Sequence, residues 1–198
     1  MTNKYTPQNF HSDDKLLKKV TNHFLVYKKK MSLFKNSMLE LDKILNHFAD
    51  KQEEFTITLM NNPLNLRLLV SNFERTVSQT ATFITKELKK TKKFRIEGFK
   101  SFHFYFNEVN GNLSEESPKL KELLFAHVKN KDIIISMIEK VNECLGIPRV
   151  LESKKVISHR VALKLKNSFT SIKNEHFDYL DSNDEAIELI KSKIKEQN

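Results

Sequence analysis

An apolar seam runs through the first third of the chain without a helix-breaking residue. From Val20 to Leu59, apolar side chains alternate at spacings of four and three, and Gln52 is the one polar residue at a seam position. The apolar positions are Val20, Phe24, Tyr27, Met31, Phe34, Met38, Leu41, Leu45, Phe48, Phe55 and Leu59. A seven-residue repeat held through roughly five heptads, with no Gly or Pro, predicts one long helix that packs through its seam.

Two further segments, 66–109 and 120–172, carry the same spacing. Each follows a polar residue and a proline, Asn62-Pro63 and Ser117-Pro118, which suit a helix cap and its first turn. Gly146 and Pro148 interrupt the third segment. Because a proline inside a helix removes a hydrogen bond and clashes one turn back, we expect a kink or a break in the third helix at this point.

The predicted lengths set the architecture. Helices of roughly 45 residues are about 65 to 70 Å long, whereas a compact chain of this size has a radius of gyration of only about 16 Å. With only three Gly and four Pro in 198 residues, we therefore expect an all-α fold, an elongated antiparallel three-helix coiled coil with a kinked third helix. We divide it into a leader, 1–14, a three-helix domain, 15–180, and a short C-terminal helix or tail, 181–198.

The charge of the chain is concentrated in lysine. The formal net charge is +9, and five Arg stand against 29 Lys. Lysine is a hydrated point charge, while arginine is preferred for bidentate readout of bases, so this balance suits an anionic surface better than a sequence-specific nucleic-acid site. On a helical wheel with Leu88 at the origin, five lysines fall between about 100° and 200°, away from the seam. They are Lys86, Lys89, Lys90, Lys93 and Lys100.

The stretch FITKELKKTKKFRIEGFKSFHFYFNEVNGNLSEE, residues 83–116, resembles the later part of the second helix of BAR domains. The likeness is to those of the Arf-GAP and oligophrenin-type Rho-GAP proteins. The resemblance implies a crescent-shaped homodimer that binds, and senses or shapes, curved anionic membranes without a cofactor. It makes Phe99, Phe102 and Phe106 packing residues, while Glu115 and Glu116 at the implied tip would repel anionic lipid. The lipid-binding residues that it implies are Lys86, Lys89, Lys90, Lys92, Lys93, Arg95 and Lys100.

The seam of the second segment weakens beside the lysines. Thr91, Lys92 and Arg95 occupy or flank positions where apolar residues are expected, and Gly98 follows. Glycine costs about 1 kcal/mol relative to Ala inside a helix. One hypothesis is that helix 2 bends here, and the other is a chance polar turn in a straight helix.

Three other functions remain open for the lysine stretch. It could be the solvated face of a packed helix, the common case for a run of charge. It could attract any polyanion, including nucleic acid, without specific readout. The long apolar seams also suit a helical adaptor that binds another protein's helix. Further basic residues that could extend the surface are Lys28, Lys29, Lys30, Lys35, Lys154, Lys155, Arg160 and Lys164.

Nothing in the sequence suggests catalysis. The seven histidines are scattered, without a metal-ligand spacing, and no Gly-rich phosphate loop or GxSxG motif is present. We expect no enzyme activity, no metal and no cofactor, and we expect His127 to be a packed imidazole. One cysteine, Cys144, permits no intrachain disulfide and suits a reducing compartment, where we expect its thiol to be buried. A cytoplasmic protein at the membrane periphery is the expectation.

Overall fold

A computed structural model describes residues 10–61, 65–108 and 117–195, with side chains described for 18–61, 65–107 and 120–195. These residues form five helices and no strand: α1 (Phe10–Asn61), α2 (Leu66–Glu108), α3 (Ser117–Cys144), α4 (Ile147–Ser153) and α5 (His159–Lys195). The all-α class expected from the seams is confirmed. The expected cap Asn62-Pro63 and the tip residues Glu115 and Glu116 lie outside the described residues.

Four of the helices are long and form an up-down-up-down bundle. Neighbouring helices in the bundle follow the order α1, α2, α5, α3, since α1 packs on α2, α2 on α5 and α5 on α3. Paired contacts give the directions: Phe55 stacks on Phe73 while Tyr27 meets Phe102, so α1 and α2 are antiparallel. The α1–α3 edge is more open and is bridged by Lys140, whose Nζ lies 2.5 Å from Asp42 Oδ1. With 52 residues, α1 is about 78 Å long.

The third predicted helix is two helices that run in opposite directions. Pro148 lies in the first turn of the short α4, and the chain reverses through residues 154–158 before α5 starts. Lys155 takes a left-handed backbone conformation with φ of 54°, and the Ser158 backbone N–H donates to Glu74 Oε1 of α2 at 2.8 Å. The expected interruption at Gly146 and Pro148 is present as a break between α3 and α4. The arrangement of three helices with a kinked third helix is wrong, because the chain reverses in a later stretch without Gly or Pro.

The observed helices also begin and end at other residues than predicted. α1 begins at Phe10, inside the expected leader. α5 continues past residue 181 to Lys195, with Asn183, Ala186 and Ile190 buried along it. The expected break into a short C-terminal helix or tail is absent from the described residues, since this stretch keeps a buried seam.

The core is built from the predicted seams. In α1, the seam residues from Val20 to Phe55 are buried or partly buried, and in α2 the packing positions Phe99, Phe102 and Phe106 are buried as expected. Phe34 stacks on Tyr179 of α5 with ring centroids 4.6 Å apart, and Phe48 meets Phe169 edge-on at 5.7 Å. Aromatic contacts between helices therefore hold α5 in the bundle.

One polar cluster lies inside this core and joins three helices. His127 of α3 is 1 % exposed, which confirms the expectation of a packed imidazole. The amide nitrogen of Asn183 donates to the His127 carbonyl at 3.1 Å, so the Asn183 oxygen faces His127 Nδ1 at 2.6 Å. With Nδ1 protonated, Nε2 accepts the hydroxyl of Tyr27 at 2.7 Å. Burial lowers the pKa of His127, which keeps the imidazole neutral.

Candidate functional site

Five of the predicted basic residues form one exposed face of α2. We call this set, Lys86, Lys89, Lys90, Lys93 and Lys100, the α2 lysine face; all five are exposed. One continuous helix presents them together, and α1 and α5 pack on its other sides. Lys92 is also exposed but lies toward α5.

Acidic partners neutralise this face only in part. Lys90 Nζ lies 2.8 Å from Glu87 Oε2, and Lys93 Nζ is 4.0 Å from Glu97 Oε1. Glu97 is the one acid within the stripe, and Lys30 of α1 pairs with it and lowers its pKa. Lys86, Lys89, Lys92 and Lys100 form no ion pair with any residue that the structure describes. The face therefore stays positive on balance.

Arg95 must be removed from the predicted set. Its side chain is buried against α5, where Nε and Nη2 contact the two carboxylate oxygens of Glu175 at 2.6 and 3.2 Å. Nη2 also donates to Asp178 Oδ2 at 2.7 Å. A guanidinium held by two carboxylates has few donors left for a lipid phosphate. Arg95 ties α2 to α5.

The weak part of the α2 seam is polar but well packed. Thr91 is buried, and its hydroxyl lies 2.7 Å from the hydroxyl of Ser37 in α1. The Ser37 hydroxyl also donates to Glu87 Oε1 at 2.6 Å. Gly98 is buried, and a Cβ atom added to it would lie 2.9 Å from Met31 Sδ. α2 continues through Gly98 without interruption. The glycine therefore permits a close approach of α1.

An exposed phenylalanine on this side of α2 was missed as a site residue. Phe83 is 57 % exposed and precedes Lys86 and Lys90 by three and seven residues, which puts it beside them on the helix. The signal was present in the sequence, because the seam through Ala81 and Ile84 leaves Phe83 outside it. The lysine face thus carries an apolar ring at its N-terminal end.

A groove between α2 and α5 borders the lysine face. Its cavity volume is about 490 Å³, and Lys89 and Lys92 line one side. Lys164 of α5 lines it too, with Nζ 2.9 Å from Thr82 Oγ1, so one of the basic residues expected to extend the surface does so. Glu175 and Asp178, held by Arg95, close one end.

A second groove follows the open edge between α1 and α3. Its cavity volume is about 320 Å³ and its lining is mostly apolar. Met31, Met38 and Met137 contribute flexible side chains, and Leu39 and Ile133 are exposed at its rim. The helices here are bridged rather than interlocked, which leaves room between them.

The described residues offer little for chemistry. No group of three or more His, Cys, Asp and Glu side chains in these ranges is placed to hold a metal ion. Cys144 is half-buried, where the prediction was a buried thiol, and burial followed by the nearby Glu143 raises its pKa. None of the five helices, as far as they are described, has the length and apolar character needed to cross a bilayer.

Comparisons with known proteins leave the family open. No protein-family model, curated protein or solved structure matches the chain. The resemblance to BAR domains therefore rests on residues 83–116 alone.

Proposed function

We propose that the protein binds the surface of an anionic phospholipid membrane through the α2 lysine face. The observation that carries the proposal is a line of exposed lysine amines, most without an acidic partner in the described structure, beside the exposed ring of Phe83. Each basic residue near an anionic leaflet contributes about 1 kcal/mol. An aromatic side chain at the interface adds an apolar anchor. Binding of this kind is peripheral and needs no spanning helix.

The arrangement of side chains on the α2 lysine face favours a lipid surface over nucleic acid as the partner. With Arg95 buried, the face contains no arginine that could read a base by a bidentate contact. One exposed ring does not make the series of stacking platforms that single-stranded nucleic acid uses. A rigid helix with diffuse lysine charge matches a plane of lipid phosphates better.

The resemblance to BAR domains extends the proposal to sensing or shaping of curvature. The chain differs here from the three-helix arrangement that the resemblance implies, because it reverses at residues 154–158 and forms four long helices. Binding to a flat anionic surface does not depend on it. Affinity for vesicles of decreasing diameter separates the two: a curvature sensor prefers small vesicles, and a surface binder does not.

Co-sedimentation with vesicles tests the proposal. We expect the protein to pellet with vesicles containing phosphatidylserine and to stay in solution with neutral ones. The variant with Lys89, Lys90, Lys93 and Lys100 changed to Glu should bind roughly 100- to 1,000-fold more weakly, since four contributions of about 1 kcal/mol are lost.

A charge-matched variant provides the control. Lys43, Lys166, Lys191 and Lys195 are exposed elsewhere, and their change to Glu gives the same net charge. This control should bind almost as well as the wild type. Equal pelleting with neutral and anionic vesicles, or equal losses in both variants, would rule out the α2 lysine face. Salt-sensitive binding to duplex DNA without vesicle binding would favour the polyanion alternative.

The α1–α3 groove supports a second candidate, an adaptor that takes up an amphipathic helix of another protein. Methionine-rich apolar surfaces adapt to varied helices. Here the change Ile133→Lys at the rim should abolish capture of the partner, while the α2 lysine variant should retain it. Capture that survives Ile133→Lys would exclude this groove.

A further inference from the structure

The outer side of α3 carries an apolar stripe that no other part of the described chain covers. Phe125, Val128 and Ile135 are 71 %, 45 % and 40 % exposed. Their spacings of three and seven residues place them on one side of the helix. Exposed apolar residues that are contiguous along a helix mark an interaction surface more often than isolated ones do.

Charged residues continue the same stripe at both ends and in the middle. Lys121 lies four residues before Phe125, Asp132 four after Val128, and Glu139 four after Ile135. All three are exposed, and none forms an ion pair with a residue that the structure describes. Their charges are thus available to a partner.

The order of these residues is self-complementary when two copies of α3 lie antiparallel. With the two-fold axis at residue 130, Lys121 of one copy faces Glu139 of the other, and Phe125 faces Ile135. Asp132 faces Val128 and adjoins Lys129 of the other copy. A two-fold axis generates each of these contacts twice. We propose that α3 binds α3 of a second copy of this chain through the stripe from Lys121 to Glu139.

The surrounding structure is compatible with this contact. In the bundle, α3 packs on α5 and α2 packs on α5 and α1, so α2 and α3 lie at opposite corners. Pairing through α3 leaves the α2 lysine face free. Phe177 of α5 is 44 % exposed and lies near the level of Ile135, where it widens the apolar patch.

The contact is short. The stripe covers 19 residues, or about 28 Å of helix, and a contact of this length buries less area than a standard interface of about 1,600 Å². We therefore expect a reversible dimer with a dissociation constant in the micromolar range.

Charge reversal with rescue tests the pairing. In sedimentation equilibrium, Lys121→Glu and Glu139→Lys should each weaken the dimer by about tenfold, since each change turns two attractive pairs into repulsive ones. The double variant restores opposite charges and should return to within a few-fold of the wild type. Phe125→Ser should weaken the dimer at least tenfold, and Lys166→Glu on α5 serves as the charge control.

Circular dichroism should show unchanged helix content in all variants, because every changed side chain is exposed. A wild-type protein that stays monomeric to about 100 μM would overturn the proposal. So would a dimer that is indifferent to both single changes, or a double variant as weak as either single one, since the contact then lies elsewhere. The test needs no membrane and is independent of the proposed lipid binding.

Discussion

At the scale of single residues, the partner of a charged side chain decides its role. Arg95 and Lys93 are neighbours in a basic run, yet Arg95 is buried against Glu175 and Lys93 is exposed. The sequence could show that Arg95 falls near the seam. It could not show that a carboxylate 80 residues later meets it, because that contact depends on the reversal before α5.

The ion pair of Arg95 should matter for stability. Changing Arg95 to Ala leaves Glu175 buried without its partner, and we expect the free energy of unfolding to fall by about 3 to 5 kcal/mol. Urea denaturation measures this loss. The neighbouring exposed change Lys92→Ala should shift the free energy by no more than about 0.5 kcal/mol. If both variants unfold at the same urea concentration, the buried contact contributes no net stability.

Stability should also fall between pH 6.5 and pH 5. Burial lowers the pKa of His127 and of His176 in the folded protein, whereas the unfolded chain titrates near 6.5. The unfolded state therefore binds more protons as the pH falls below about 6.5, and stability is lost through this window by up to about 1.4 kcal/mol per pH unit for each histidine. The lowered carboxyl pKa values, such as that of Glu74, act at lower pH.

The pH dependence can be assigned by substitution. A variant with both His127 and His176 changed to Gln should lose most of the slope of unfolding free energy against pH. His159→Gln, which changes an exposed ring, should keep it. Equal stability of the wild type at pH 7 and pH 5 would mean that the two imidazoles are not held neutral by the fold.

At the scale of helices, the seams were predictable and the reversal was not. A seven-residue repeat reports which side of a helix is buried, and the residues it selected in α1 are buried or partly buried. The break near Pro148 was visible, but a proline alone does not distinguish a kink from a turn. The decisive conformation lies at Lys155, a residue type that rarely takes positive φ and so gives no warning.

Gly98 gives a test of packing between α1 and α2. Alanine there gains about 1 kcal/mol of helix propensity but displaces Met31 Sδ, so Gly98→Ala should be close to neutral. Gly98→Leu should lower the free energy of unfolding by about 1 to 3 kcal/mol through overpacking. Adding Met31→Ala to the leucine variant should recover part of the loss in thermal denaturation. A leucine variant as stable as the wild type would contradict the close approach.

At the scale of the whole molecule, the packing of four long helices decides which surfaces lie next to each other. The sequence predicted the all-α class and the lysine stripe. Both predictions concern single helices, and the structure has the helices and the exposed lysines of α2. It could not predict which helices are adjacent, since seams of similar spacing pair in several ways. The placement of α2 opposite α3, and the grooves beside α1 and α5, follow only from the assembled bundle.

Binding of the α2 lysine face to a membrane is tested most directly by the depth of one side chain in a bilayer. In a Cys144→Ser background, an environment-sensitive fluorophore is attached to cysteine in place of Phe83 on α2, and separately in place of Ser136 on α3. With anionic vesicles, binding through the α2 lysine face predicts a blue shift and quenching by spin-labelled lipid at position 83 and no such change at position 136. Quenching at position 136 instead, or at neither position while the protein binds, would contradict it.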